Sequence, residues 1–177
     1  MLPRYYLPIT LLLLLSACAS GPTFNTAEID PSLTPQGVSA KPQPPTGKSV
    51  QWGGVIVSTT NLQGSTRIEV LAYPLDSDER PKSDGTPQGR FILERTGYLE
   101  PASYAEGRQV TVVGTVSGTR TGRVGEADYV YPVIAARQLY LWPTARERGG
   151  SSTMFGIGVG GGSGGSWGSG VGVGFGF

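Results

Sequence analysis

Few side chains in this sequence are able to carry out enzymatic chemistry. Among its 177 residues there is no His and a single Cys, so the commonest general base and a frequent metal ligand are absent. Ser and Thr hydroxyls therefore have no His to activate them as nucleophiles. The sequence predicts neither an enzyme nor a cofactor site.

Loop carboxylates offer the remaining route to a metal site, because Ca²⁺ binds several loop oxygens. The acidic cluster of this chain lies in a loop rich in Pro and Gly and consists of Asp76, Asp78, Glu79 and Asp84. Its spacing is not that of an EF-hand, and Arg80 and Lys82 are interspersed among the acids. We interpret the cluster as a solvated loop and predict no metal site.

The single Cys indicates a different kind of chemistry. Residues 1–17 carry one cation, Arg4, followed by an apolar run too short to span a bilayer as a helix, which is the pattern of a secretory signal peptide. Residues 15–18 (LSAC) then match the lipobox of bacterial lipoproteins, in which the thiol accepts the acyl chains. We expect cleavage before Cys18 and its acylation with palmitate-type chains. A buried or unmodified Cys is the weaker alternative, given this position directly after a signal.

The residue after the Cys bears on location. By resemblance to enterobacterial lipoproteins, Asp at this position favours retention in the inner membrane, whereas Ala19 is typical of outer-membrane sorting. We therefore expect a protein that is lipid-anchored in the cell outer membrane and faces the periplasm.

Charge and composition limit the function classes further. There are 14 Lys plus Arg against 13 Asp plus Glu, so the chain lacks the basic excess that nucleic-acid binding requires, and we predict no nucleic-acid partner. With 28 Gly and 14 Pro, a large part of the chain is not expected to form a packed core. The length leaves room for one domain of about 100 residues.

Two segments flank the predicted domain. Residues 18–47, the lipidated N-terminus and linker, contain six Pro and few apolar residues. They are typical of an extended tether, which could hold a domain up to roughly 90 Å from the lipid. The alternative is that part of the linker packs on the domain, for example through Phe24 and Ile29. The Gly-rich C-terminal tail, residues 149–177, alternates Gly with apolar residues in two runs. We expect the tail to become ordered only against a partner, with a disordered spacer as the alternative.

Residues 48–148 have the patterning of a β domain. Strand-like segments separated by turn residues are predicted at 50–59, 66–75, 89–95, 109–117 and 129–142, and a single short helix is predicted at 100–107. Three strands, one short helix and two strands form the order of a small five-stranded OB-like barrel, whose closure removes exposed strand edges. Gly53, Gly54 and Gly114 are suited to the bends of such a barrel. The fold class is therefore mainly β, with an open β-sandwich as the alternative.

An OB-type barrel presents the face of its second and third strands, with adjoining loops, to ligands. The candidate ligand-binding residues on that surface are Arg67, Tyr73, Arg90, Arg120 and Arg123, the last two being assigned to a loop. They suit a small anionic ligand or a glycan. The simpler interpretation is a cross-strand ladder of ion pairs, each of small energetic value. That ladder would join Arg67, Glu69, Arg90 and Glu94.

An ordered set of segments resembles the Slp family of outer-membrane lipoproteins. They are VQWGGVI (50–56), EVLAYPLD (69–76), GRF (89–91), GYLEPASY (97–104), VTVVGTV (110–116) and LYLW (139–142). The resemblance implies an outer-membrane lipoprotein associated with starvation and stationary phase, in a family with no agreed biochemical activity. The tail from residue 149 departs from the family pattern. We therefore expect a non-enzymatic structural or partner-binding envelope module, and the alternative is a binder of small anionic ligands or glycans.

Overall fold

The computed structural model describes residues 21–144 and 147. The predicted signal peptide, Cys18 and the tail at 149–177 lie outside the described residues. In chain order the elements are helix α1 (Pro35–Ser39) and strands β1 (Ser49–Leu62), β2 (Ser65–Tyr73), β3 (Arg90–Thr96), β4 (Gln109–Val124) and β5 (Ala127–Leu141). No helix in this part of the chain is long and apolar enough to cross a membrane.

The five strands close into a barrel with the order β1-β2-β3-β5-β4. β1 pairs antiparallel with both β2 and β4, while β3 and β5 run parallel. Burial along β2 alternates residue by residue, as expected for a strand with one face in a core and one face in solvent. The mainly β, OB-like barrel with one short helix is therefore confirmed.

The interior of the barrel is a single apolar core. The fully buried side chains include Val50, Ile56, Ile68, Val70, Phe91, Leu93, Val110, Val112, Val116 and Ile134. The rings of Trp52 and Phe91 meet edge to face with their centroids 5.2 Å apart. This continuous burial is the main stabilising contribution to the fold.

The short helix lies in a different part of the chain from the one predicted. Residues 101–104 and 106–107 form turns, and the carbonyls of Leu99 and Tyr104 accept hydrogen bonds from side chains of β1. The helix instead precedes β1. Thr34 caps it by accepting from the Gly37 N–H at 3.0 Å, and Pro35 occupies its first turn, where the missing N–H costs nothing.

This helix belongs to a segment that sequence patterning had favoured as an unpacked tether. Leu33 and Val38 are buried in the core, and the indole N–H of Trp52 donates to the Leu33 carbonyl at 2.7 Å. The backbone N–H of Asp30 donates to the Ser49 carbonyl at 3.0 Å. The segment closes the end of the barrel where β1 begins, so the tether is shorter than its composition suggests.

The last two strands are longer than predicted. Residues 118–125 were expected to form a loop, but β4 continues to Val124 and pairs with β5 as far as Ala127. We call residues 118–124 and 127–133 the ribbon. A register shift lies between Val116 and Gly118, and Gly118 has a φ of 153°. Such a bulge bends and twists a strand pair, and it sets the direction in which the ribbon leaves the barrel.

Candidate functional site

The ribbon folds over the outer face of the barrel and leaves a groove of about 200 Å³ beneath it. β1 contributes Ser58 and Thr60 to its wall, and β2 contributes Arg67 and Glu69. The ribbon side of the groove is lined by Arg120, Gly122, Arg123 and Tyr131. The face of β2 and β3 and the β4–β5 hairpin thus meet in one place, as the OB-like topology predicts.

Tyr131 holds the ribbon in this position. It is 4% exposed and packs in a small outer cluster with Ile92 and Val133. Its hydroxyl lies 3.3 Å from Glu69 Oε1 and 3.1 Å from the Arg123 carbonyl. Burial, followed by the nearby Glu69 carboxylate, raises the pKa of Tyr131 above its ordinary value. The phenol therefore stays neutral near pH 7 and serves as a hydrogen-bond donor.

The cross-strand ladder of ion pairs is present on the same face. Arg67 donates to Glu94 Oε1 from Nε at 3.1 Å and from Nη2 at 3.0 Å. Arg90 Nη1 lies 2.6 Å from Glu69 Oε1. All four side chains are partly exposed, so each pair contributes about 1 kcal/mol or less to stability. The main effect of these pairs is to fix the guanidinium groups along the groove.

Two further arginines have weaker partners. Arg120 Nη2 lies 3.6 Å from Glu94 Oε1, which already accepts from Arg67, and its side chain is 50% exposed. Arg123 Nη2 donates to the backbone carbonyl of Glu126 at 2.9 Å. Within residues 21–144, the guanidinium groups of these four arginines therefore form ion pairs with two carboxylates only, those of Glu69 and Glu94. This surplus suits a carboxylate or a phosphate, which guanidinium groups bind with charge-assisted hydrogen bonds.

The structure brings together most of the predicted ligand-binding residues. Arg67, Arg120 and Arg123 line the groove, and Arg90 adjoins it through Glu69. The two ribbon arginines lie on a strand rather than on the predicted loop, because pairing with β5 continues through them. Tyr73 lies six residues beyond Arg67 on β2, about 20 Å along an extended strand, and does not line the groove.

Other groove residues escaped the sequence prediction. Ser58, Thr60 and Tyr131 line the groove, but hydroxyl and aromatic side chains on strands are common and carry no distinctive spacing. The aromatic segment 129–131 (YVY) was the available signal, since a tyrosine on a strand beside a turn is suited to packing on a neighbouring sheet.

The acidic loop is held by hydrogen bonds to the Asp76 carboxylate. Asp76 accepts hydrogen bonds from the backbone N–H groups of Asp78 and Arg80, both at 2.9 Å, and so closes a turn. Within residues 21–144 and at 147, no group of three or more potential ligands is placed to hold a metal ion.

Comparison with known proteins gives matches over most of the chain. The family model described as "Outer membrane lipoprotein Slp family" matches residues 15–157. A Haemophilus influenzae protein described as uncharacterized is 42% identical over 96 residues, covering 54% of this chain and 52% of the relative. The Escherichia coli lipoprotein YeaY is 34% identical over 137 residues, covering 75% and 69%. The E. coli outer membrane protein Slp is 28% identical over 136 residues, covering 76% and 72%. The match to the Haemophilus protein thus spans about half of that relative.

Solved structures with a similar fold include two single-stranded DNA-binding proteins. The small protein from Streptomyces coelicolor is 16% identical with a TM-score of 0.34, and the match covers 54% of this chain and 94% of that one. The mitochondrial protein Rim1 from S. cerevisiae is 14% identical with a TM-score of 0.35 and the same coverage.

Proposed function

Because the chain belongs to the Slp family of outer membrane lipoproteins, we propose that it is a lipid-anchored, non-enzymatic module that binds an envelope partner through the groove. In this proposal the signal peptide is removed and the acylated Cys18 is the membrane anchor. The groove lies on the barrel, and the side chains that line the groove determine which partner is bound.

The lipobox at residues 15–18 supports the anchor. Each buried methylene of an acyl chain contributes about 0.8 kcal/mol, so two or more chains attach a protein stably without a membrane-spanning segment. The lipid then holds the domain at the membrane without any part of the barrel having to enter the bilayer.

The arginine surplus in the groove is the observation that carries the binding role. Ordinary ladders balance their charges, and Arg67 and Arg90 are balanced in this way. Arg120 and Arg123 are not, because one shares a carboxylate and the other is bonded to a carbonyl. An acidic side chain of a partner protein would supply the missing charge and displace little existing structure.

The same geometry favours binding over catalysis. The groove hydroxyls come from Ser58 and Thr60, and the nearest carboxylate on β2, Glu69, is held by Arg90 and Tyr131. A carboxylate oxygen that already accepts hydrogen bonds from a guanidinium group and a phenol is poorly placed to take a proton from a substrate. The groove arginines therefore act as electrostatic ligands.

A second candidate function is the binding of a small anion or an anionic glycan. The groove volume of about 200 Å³ is suited to a single charged group or sugar ring. Pockets for drug-sized molecules are larger, at roughly 300–1,000 Å³. A groove of this size also accommodates one acidic side chain at the centre of a protein interface. The two candidate functions predict chemically different molecules attached to the groove after covalent capture.

Site-specific photocrosslinking in living cells tests both. We expect a photoreactive residue at Thr60, on the groove wall, to capture a discrete adduct that the same residue at exposed Lys82 does not. Arg120→Gln should reduce the yield about tenfold, because a charge-assisted hydrogen bond contributes about 1.5–3 kcal/mol. Arg95→Gln, which removes an exposed charge outside the groove, should leave the yield unchanged.

The nature of the adduct separates the candidates. A protein adduct supports the partner-binding module, and an adduct resistant to protease but carrying sugar or phosphate supports the anion or glycan binder. Identical adducts from Thr60 and Lys82, or yields insensitive to Arg120→Gln, would contradict a binding role for the groove.

A further inference from the structure

The chain begins to contact the barrel only a few residues after the proposed anchor. The backbone N–H of Asn25 donates to Gln138 Oε1 at 2.8 Å, and the Phe24 ring meets the Tyr140 ring edge to face at 6.4 Å. Ile29 then forms a parallel bridge with Ser49. We call residues 24–34 the arm. The arm is therefore held on β5 and on the first residue of β1.

This packing limits how far the barrel can stand from the membrane, given the acylation of Cys18 under the proposed function. Phe24 is six positions after Cys18, and an extended chain spans at most about 3.3–3.6 Å per residue, or about 20 Å in total. A domain of 100 residues has a radius of gyration of about 13 Å. The arm therefore keeps the barrel within roughly its own diameter of the headgroups, with the β5 side nearest.

The surface beside the start of the arm has the chemistry of a membrane interface. A cleft of about 280 Å³ is lined by Asn25, Val113, Arg137 and Gln138. Arg137 is exposed and donates to Ser49 Oγ at 3.0 Å. No carboxylate of residues 21–144 lies within ion-pair distance of its guanidinium group.

The ring of Tyr140, two residues beyond Gln138 on β5, belongs to the same region of the surface. The Tyr140 ring packs edge to face against Trp142 as well as Phe24, with a centroid separation of 4.8 Å from Trp142. Arginine stems and tyrosine rings are among the side chains enriched where proteins contact headgroups. We name this surface, formed by the cleft and Tyr140, the anchor-side face.

We propose that the anchor-side face docks on the phospholipid headgroups of the leaflet that holds the acyl chains, with Arg137 binding a lipid phosphate. The short reach brings the face to the headgroups, and the Arg137 guanidinium group, which has no carboxylate partner among residues 21–144, supplies the recognition. Because the lipid anchor makes docking intramolecular in effect, a weak individual contact suffices to orient the barrel.

Docking in this orientation exposes the groove. Tyr131 in the groove and Tyr140 at the anchor-side face are nine residues apart on β5, up to about 30 Å along an extended strand. The ribbon would point away from the lipid, where a partner can reach Arg120 and Arg123.

The test uses the full, acylated protein in vesicles of phosphatidylethanolamine and phosphatidylglycerol containing a nickel-chelating lipid. Since Cys18 is the only native Cys, a spin label can be attached to Ala135→Cys, exposed near the cleft, or to Glu126→Cys at the end of the ribbon. We expect relaxation by the lipid-bound nickel to be several-fold stronger at 135 than at 126. Arg137→Gln should remove most of that difference, whereas Arg95→Gln should preserve it.

Each result bears on a separate statement. Equal relaxation at the two labels, or stronger relaxation at 126, overturns docking while leaving the anchor and the groove intact. A difference that survives Arg137→Gln overturns the assigned phosphate contact. Mass spectrometry showing an unacylated Cys18 overturns the anchor and the docking together.

Discussion

Val112→Asp is expected to remove a large part of the barrel's free energy of unfolding. Val112 is fully buried near the start of β4, in register with Trp52 on β1 and Leu139 on β5. An unpaired charge at such a position costs about 3–5 kcal/mol, against a typical domain stability of about 5–15 kcal/mol. Urea unfolding followed by circular dichroism measures the loss.

Thr121→Asp is the matched control, because it places the same charge on an exposed position of the same strand. It should change the free energy of unfolding by no more than about 0.5 kcal/mol. If Val112→Asp unfolds with the same midpoint as this control, Val112 does not face the interior and the strand register is wrong.

Val38→Asp should destabilise the protein by several kcal/mol, although Val38 lies in a short helix outside the strands. Its side chain is fully buried against the core at the end of the barrel where Leu33 also packs. A charge there would be buried without a partner and would expose the end of the core to water. Thermal unfolding of the full chain, followed by tryptophan fluorescence, reports the change.

Gln36→Asp provides the comparison on the same helix. Its side chain is exposed near the helix N-terminus, where a carboxylate is tolerated or slightly favourable, so the melting temperature should stay within a few degrees of the wild type. An extended tether would tolerate both substitutions equally. Equal melting temperatures for the two variants would therefore indicate that this segment is an extended tether. The short distance inferred between the barrel and the membrane would then lose its basis.

The barrel could be predicted from the sequence because the residue patterns that indicate it are local. Residues 66–72 alternate between core and solvent, and Gly54 and Gly114 stand where strands approach too closely for a side chain. A Cβ at Gly54 would come within 2.0 Å of the Leu71 carbonyl oxygen. Such steric requirements restrict the residue type at a position and can therefore be recognised in the amino-acid sequence.

The helix α1 and its packing could not be predicted from local patterns in the same way. α1 has five residues, which is too short for a helical stripe to be recognised. Leu33 and Val38 are two apolar residues in a proline-rich stretch, and only the distant Trp52, which bonds to the Leu33 carbonyl, shows that they belong to the core. Composition describes the average character of a segment, and here two residues decide its placement.

The groove was predicted in part for a comparable reason. Arg67 and Arg90 follow from strand alternation, and their pairing with glutamates on the neighbouring strands follows from register. The contribution of Tyr131 depends on how the bulge at 116–118 turns the ribbon over β2 and β3. That turn is set by tertiary contacts between residues far apart in sequence.

The most direct test of the central claim, that this barrel is carried by a lipid on Cys18, is metabolic labelling with palmitate followed by membrane fractionation. We expect a labelled, processed protein in the outer membrane, and complete loss of label with retention of the signal peptide in Cys18→Ser, because acylation of the thiol precedes cleavage. A palmitate label that persists in Cys18→Ser, or a processed wild type without label, would contradict it.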